Sequence, residues 1–154
     1  MDTSFKKILF CTDFSRGAAR AFRFALGEAE RNRAELHILH VTAEADSQFW
    51  KGYVVDDGQD LASKNESALN ERIRREYAGE IGDGISWHVH LATGEPAEKI
   101  MEFVRDNGIS LVVIGRPRPR FLRSTLFGSV ATKVAREVGC PLLIVPEPES
   151  GETP

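Results

Sequence analysis

The chain has 154 residues, 42% of them apolar and 28% charged, with a net charge of −3. That suits one folded domain with a sizeable core and argues against a general affinity for nucleic acid or anionic membrane. Its longest apolar runs are about five residues, against the ~20 needed to span a bilayer. Met1–Lys7 shows no basic stretch leading into a long apolar one, so no signal peptide is read and the expected compartment is the cytoplasm. Cys11 and Cys140 form neither a CxxC pair nor a disulfide framework and are read as reduced, buried small hydrophobes, with a redox role as the alternative.

Two periodicities alternate along the chain. Lys7-Ile8-Leu9-Phe10-Cys11 reads as a first strand. Ala18, Ala21, Phe22, Ala25, Leu26 and Ala29 then recur at helical spacing, with Ser15 placed to cap that helix. Leu36 to Val41 is the second strand. Thr42 to Gly58 is irregular and polar, and a second helix carries Leu61, Leu69, Ile73 and Tyr77 on one side. Gly79 to Gly84 is a loop, and Ser86 to Leu91 alternates as the third strand. Gly94-Glu95-Pro96 opens a third helix with Ala97, Ile100, Met101 and Val104 inward and Gly108 as its stop. Leu111 to Ile114 is apolar on both faces, as a central parallel strand should be. A fourth helix carries Ala131, Val134, Ala135 and Val138 and is expected to stop at Gly139; Leu142 to Val145 is the fifth strand. Alternating strands and helices imply an α/β domain, residues 1–147, with a parallel sheet covered on both faces. Residues 148–154 are Pro/Glu/Ser/Gly-rich and are expected to form a flexible tail.

In such sheets ligands bind beyond the carboxyl ends of the strands, where the strand order reverses. After the fourth strand comes Gly115-Arg116-Pro117-Arg118-Pro119-Arg120-Phe121-Leu122-Arg123, then Ser124 to Gly128-Ser129-Val130. Gly115 lets the chain turn off the strand with no Cβ in the way. Gly128-Ser129 opens a helix whose free N–H groups and dipole favour an anion. Arg116, Arg118, Arg120 and Arg123 add positive charge. The competing reading is a solvated basic loop followed by an ordinary helix start.

This segment resembles the G-x2-G-x9-G-[ST] motif of the universal stress protein family, which holds the phosphates and ribose of ATP in the members that bind it. Gly115 matches the first glycine and Gly128-Ser129 the final pair, while Arg118 stands at the second glycine position. Ile8 to Asp13, His40-Val41, Gly94-Glu95-Pro96-Ala97 and Gly139-Cys140-Pro141 to Pro146 are similar to other family segments in the same order, so the likeness spans roughly residues 5 to 147. The resemblance implies a three-layer, adenine-nucleotide alpha-hydrolase-like fold with strand order 3-2-1-4-5 and two helices on each face. It implies a regulatory, stress-response protein that binds ATP or AMP, with no catalytic residue and at most slow hydrolysis. Magnesium would be optional and held mainly by phosphate oxygens.

The implied nucleotide-binding residues are Thr12, Asp13, Val41, Ile114, Gly115, Arg118, Arg120, Gly128, Ser129 and Val130. Asp13 and the Val41 backbone would meet the base, and Gly128, Ser129 and the Val130 amide would hold phosphate. Asp13 can instead be a turn or cap residue. Phe14 stands where a small residue is common and is expected to narrow the pocket. Arg118 can crowd the ligand, swing outward, or pair with a phosphate oxygen; Arg118 or Arg120 would then replace the lost glycine contact.

Other chemistries rank lower. His37 and His40 point to opposite faces of a strand, and His88 and His90 have no third ligand nearby in sequence, so no metal site is read. Neither a P-loop nor a dinucleotide fingerprint is present. A basic-loop RNA binder lacks an aromatic platform beyond Phe121. The remaining alternative is an interaction module of the same family that binds no nucleotide. A homodimer through the apolar edge Leu142, Leu143, Ile144 and Val145 is expected in either case.

Overall fold

A computed structural model describes residues 2–44, 61–118 and 128–154. Arg120, Arg123 and the irregular stretch from residue 45 to Gly58 lie outside the described residues.

The strands are β1 (Lys7–Cys11), β2 (Glu35–Thr42), β3 (Trp87–Thr93), β4 (Leu111–Arg116) and β5 (Leu142–Pro146). They form one sheet in the order β3-β2-β1-β4-β5, and every neighbouring pair is parallel, as the resemblance implied. Among the described residues the helices are α1 (Arg16–Asn32), α2 (Leu61–Tyr77), α3 (Pro96–Asn107) and α4 (Ser129–Glu137), with a 3-10 turn at Ala78–Glu80.

Period-two alternation sorts the strand residues into two cores. On one face Ile8, Phe10, Leu36, Ile38, Leu111 and Val113 pack against Phe22 and Leu26 of α1 and Ile73 and Tyr77 of α2. The Phe10, Phe22 and Tyr77 rings meet there, with centroids 4.7 to 5.4 Å apart. On the other face Leu9, Leu39, Val112 and Ile114 pack against Ile100 and Val104 of α3 and Val134 of α4. Among the described residues the fold is thus three layers, two helices to each face. Among the described residues no helix is long and apolar enough to cross a membrane.

The helix ends follow local chemistry. Ser15 caps α1, its hydroxyl accepting from the Ala18 N–H at 3.1 Å. Glu95 caps α3, its carboxylate accepting from the Ala97 and Glu98 amides, and those bonds hold its pKa below the ordinary carboxylate value. Gly108 ends α3 in the left-handed conformation. Gly139 does not stop α4. That helix ends at Glu137, and Val138 caps it in an extended conformation with its N–H on the Val134 carbonyl.

Strand β4 runs two residues past the apolar stretch read from the sequence, because Gly115 and Arg116 still pair with Val145 and Pro146. The chain therefore does not turn off at Gly115. A Cβ there would lie 2.4 Å from the carbonyl carbon of Gly17 and 2.7 Å from the amide nitrogen of Ala18. Glycine is required at 115 because the first turn of α1 is laid directly on β4.

The C-terminal segment is tethered by several contacts. The Glu147 amide donates to the Arg116 carbonyl at 2.8 Å. The Arg16 guanidinium donates to the Glu152 carbonyl at 3.0 Å, and Pro154 sits in a shallow groove with Phe22 and Tyr77.

Candidate functional site

The sheet order reverses between β1 and β4, and a cleft of about 300 Å³ opens beyond their carboxyl ends, a size at the lower end for small-molecule sites. Its apolar walls come from Leu39 and Val41 of β2, Ile114 of β4, Pro96 and Ile100 of α3, and Cys11. Its remaining lining includes Thr12 and Asp13 after β1 on one side and Gly128 and Ser129 at the start of α4 on the other.

Side chains and backbone interlock at the end of β1. The Thr12 amide donates to the Leu39 carbonyl at 2.9 Å, carrying the ladder one residue past the strand. The Phe14 amide donates to Thr12 Oγ1 at 3.0 Å, and that hydroxyl also bonds Tyr77 Oη at 2.6 Å. His40 Nδ1 donates to the Thr12 carbonyl at 2.8 Å. Both oxygens of Thr12 are thus engaged by the protein, so this residue shapes the cleft without offering a free hydroxyl. Burial pushes the Tyr77 phenol up to about 12, so its hydroxyl stays protonated through neutral pH.

Asp13 is exposed and lines the cleft. Its Oδ1 accepts from the Ser15 amide at 2.9 Å, an Asx turn that leads into the α1 cap. The turn role and a place in the cleft wall therefore coexist, with Oδ2 unengaged among the described residues. Phe14 departs from expectation. It adopts φ 63°, and its ring packs on His40 at 4.7 Å and under the Arg72 guanidinium at 3.9 Å. It is absent from the cleft lining and does not narrow it.

At the opposite wall, Gly128 has φ 70° and ψ 158° and precedes α4 with no side-chain cap. The left-handed φ favours glycine. The Gly128 carbonyl accepts from the Thr132 amide and hydroxyl at 3.1 and 2.7 Å. The first-turn amides of Ser129, Val130 and Ala131 have no intrahelical acceptor, and these three residues line the cleft. Uncapped amides and the positive helix end give this wall an anion-attracting field.

The cleft brings together Thr12, Asp13, Val41, Ile114, Gly115, Gly128, Ser129 and Val130. Arg118 is elsewhere. Its Nε donates to the Glu147 carbonyl at 2.6 Å, its amide to Glu147 Oε2 at 3.3 Å, and its Nη1 lies 3.4 Å from Glu149 Oε1. Of the three courses open to it, the arginine swings outward, so it neither crowds the cleft nor reaches into it.

The cleft also uses Cys11, Leu39, Pro96 and Ile100, which were read only as core or helix residues. Leu39 shares a strand face with Val41, a period-two signal present in the sequence; Ile100 enters through tertiary packing alone. Burial raises the thiol pKa of Cys11 far above its ordinary value and that of Cys140 above its own. Both are free thiols.

A second polar cluster lies on the β2–β3 edge. The register sets His37 opposite His88 and next to His90, a juxtaposition that linear spacing could not show. His37 Nδ1 and His90 Nε2 are 2.9 Å apart, and Glu35 Oε1 lies 3.0 Å from His37 Nε2 and 3.1 Å from His88 Nε2. Burial lowers the His37 pKa to about 4 and that of His90 below its ordinary value. Among the described residues no group of three or more His, Cys, Asp or Glu is arranged to hold a metal ion.

Comparison with known proteins closes the assignment. The model of the universal stress protein family matches residues 4–146. The universal stress protein YxiE of Bacillus subtilis is 32% identical over 149 residues, covering 92% of this chain and 99% of that one. The universal stress protein MJ0531 of Methanocaldococcus jannaschii is 27% identical, covering 94% of this chain and 84% of that one. Among solved structures, that of hypothetical protein MJ0577 superposes with a TM-score of 0.73 at 24% identity, covering 96% of this chain and 99% of that one. A universal stress protein solved in complex with cAMP gives 0.65 at 20% identity, covering 94% and 99%. The universal stress protein of Archaeoglobus fulgidus in complex with dAMP gives 0.57 at 24% identity, covering 92% and 98%. With its sheet order, its cleft and its match over residues 4–146, this chain belongs to the universal stress protein family.

Proposed function

We propose that the protein binds an adenine nucleotide, ATP before AMP, in the cleft between β1 and β4 and acts through that binding, with at most slow hydrolysis. The observation that carries the proposal is one juxtaposition. An apolar slot formed by Leu39, Val41, Ile100 and Ile114 ends at the uncapped first turn of α4. A flat apolar base fits the slot, and phosphate fits the amides of Ser129 and Val130. The neighbours solved with cAMP and dAMP support an adenine ligand. Asp13, on the β1 side of the cleft, has one oxygen unengaged among the described residues to accept from an exocyclic amino group. Magnesium, where it accompanies ATP, would be carried by phosphate oxygens, since Asp13 is the one carboxylate among the described lining residues. The same scarcity argues against hydrolysis: the other ionisable side chain among the described lining residues is the half-buried Cys11 thiol, whose pKa desolvation raises.

Calorimetric titration with ATP tests this reading. Ser129→Glu places a carboxylate beside the proposed phosphate at the first position of α4, where an acidic residue favours the helix. The fold should persist while ATP affinity falls about tenfold or more, one lost charge-assisted contact. No heat with the wild type, or equal affinity in the variant, refutes the reading.

The edge supports a second feature. Strand β5 pairs only with β4 among the described strands, and Leu142, Leu143 and Ile144 are half-buried. We propose that it pairs with its twofold mate. Light scattering at tens of micromolar should give a dimer, and a monomer counts against the pairing. A dimer that takes up no ATP would favour the interaction-module reading.

A further inference from the structure

We propose that the acidic C-terminal segment, Glu147 to Pro154, is a strap that holds Arg118 away from the anion end of the cleft, and that anion binding and strap release are coupled. The proposal rests on the nucleotide reading of the cleft. Its own observation is where the Arg118 guanidinium goes. Pro117, its chain neighbour, lines the cleft, yet the arginine side chain turns to the strap, with Nε on the Glu147 carbonyl and Nη1 facing Glu149 Oε1. A residue standing where the family motif has its second glycine is thereby engaged by the protein's own carbonyl and carboxylate, the same chemistry a phosphate would offer it.

The strap is held at a few separate points. It begins at a firm point, the Glu147 amide on the Arg116 carbonyl at 2.8 Å. Beyond Pro148 it closes on itself, with the Glu149 amide donating to Glu152 Oε2 at 2.8 Å and the Glu152 amide to the Glu149 carbonyl at 3.0 Å. It then lies on α1, where Arg16 donates to the Glu152 carbonyl at 3.0 Å and Arg20 Nη1 is 3.8 Å from Glu152 Oε2.

The charged contacts are exposed: the Arg118 and Glu149 side chains are 41% and 67% accessible. Exposed pairs of this kind hold weakly and are screened by salt. A phosphate group competes well for the same guanidinium, because it offers paired, charge-assisted bonds that match the fork. Whatever affinity the strap withholds from the anion, the anion withholds from the strap, so the two are reciprocally linked.

The experiment compares the full chain with a chain ending at Pro146, which lacks the Glu147 carbonyl that holds Arg118, and with Glu149→Gln/Glu152→Gln, titrating each with ATP and with adenosine. Removing the strap should tighten ATP roughly fivefold or more, the scale of ordinary coupling between sites, and leave adenosine unchanged. The double variant should fall between. In the full chain, ATP should speed carboxypeptidase trimming of the C-terminus and adenosine should not. Arg118→Gln should speed trimming with no ligand. If the full and shortened chains bind ATP equally, the strap falls and the nucleotide reading stands. If neither binds ATP, both fall. Trimming that is indifferent to both ATP and Arg118→Gln also overturns the strap.

Discussion

Gly115→Ala is the substitution whose consequence can be worked most directly from the geometry. The new Cβ would lie 2.4 Å from the Gly17 carbonyl carbon, 2.5 Å from its oxygen and 2.7 Å from the Ala18 nitrogen. All three are backbone atoms at the capped start of α1, so no rotamer change relieves the contact. Ordinary contact begins at 3.4 Å, so the helix start must retreat from β4 by about 1 Å. Overpacking in a close-packed interior costs about 1–3 kcal/mol, and a contact between two backbones belongs at the upper end. For a domain of this size ~3 kcal/mol lowers Tm by roughly 6–12 °C. Thermal and urea unfolding of Gly115→Ala should be read beside Gly82→Ala, where an added Cβ meets nothing within 4 Å and the change should stay within ~0.5 kcal/mol. If Gly115→Ala is as harmless as Gly82→Ala, the close approach of α1 to β4 is not as described here. The variant should also weaken nucleotide binding, because Ala18, Gly115 and Asp13 share the cleft wall.

The remaining predictions concern the two buried polar networks. Burial lowers the pKa values of His37 and His90 in the folded chain, so below the unfolded value of about 6.5 the unfolded chain binds more protons. Their contribution to stability is therefore full above pH ~6.5 and lost progressively toward pH ~4. The neighbouring Glu35, His88 and Lys7 modulate this: Glu35 favours the charged His37, and the other two oppose it. The urea midpoint should fall between pH 7 and pH 5, and the fall should shrink in His37→Asn; an equal fall in the variant would contradict the assignment. Tyr77→Phe removes one of the two partners of Thr12 Oγ1, leaving the Phe14 amide, in a site where Thr12 is 5% and Tyr77 3% exposed. The loss should be about 1–2 kcal/mol, read as a lower urea midpoint, and no loss would show that the bond contributes nothing net.

Much of the architecture was legible because it depends on short-range pattern. The short apolar run in Lys7 to Cys11 and helical spacing from Ala18 to Ala29 each needed only neighbouring residues, and Ser15 is a cap by its chemistry and position. The strand order came through the family likeness, since local periodicity carries no information about which strands lie side by side. What stayed hidden depends on distant chain. The turn expected at Gly115 is not made; glycine is needed there for the close approach of Gly17, which is far away in sequence. The direction of Arg118 is set by Glu147 and Glu149. The histidine cluster needs the register that sets His37 opposite His88. Phe14 turns away from the cleft, onto His40, through a left-handed φ that its side chain gives no reason to expect.

The location of the ligand is the account's central claim, and amide chemical shifts test it residue by residue. In a titration of isotope-labelled full-length protein with ATP, the amides of Val41, Gly115, Ser129, Val130 and Ala131 should move together and saturate with one dissociation constant, while those of Trp87 and His88 on the distant edge stay still. Shifts absent at Ser129 to Ala131, or gathered elsewhere on the molecule, would contradict a nucleotide seated between β1 and β4 with its phosphates on α4.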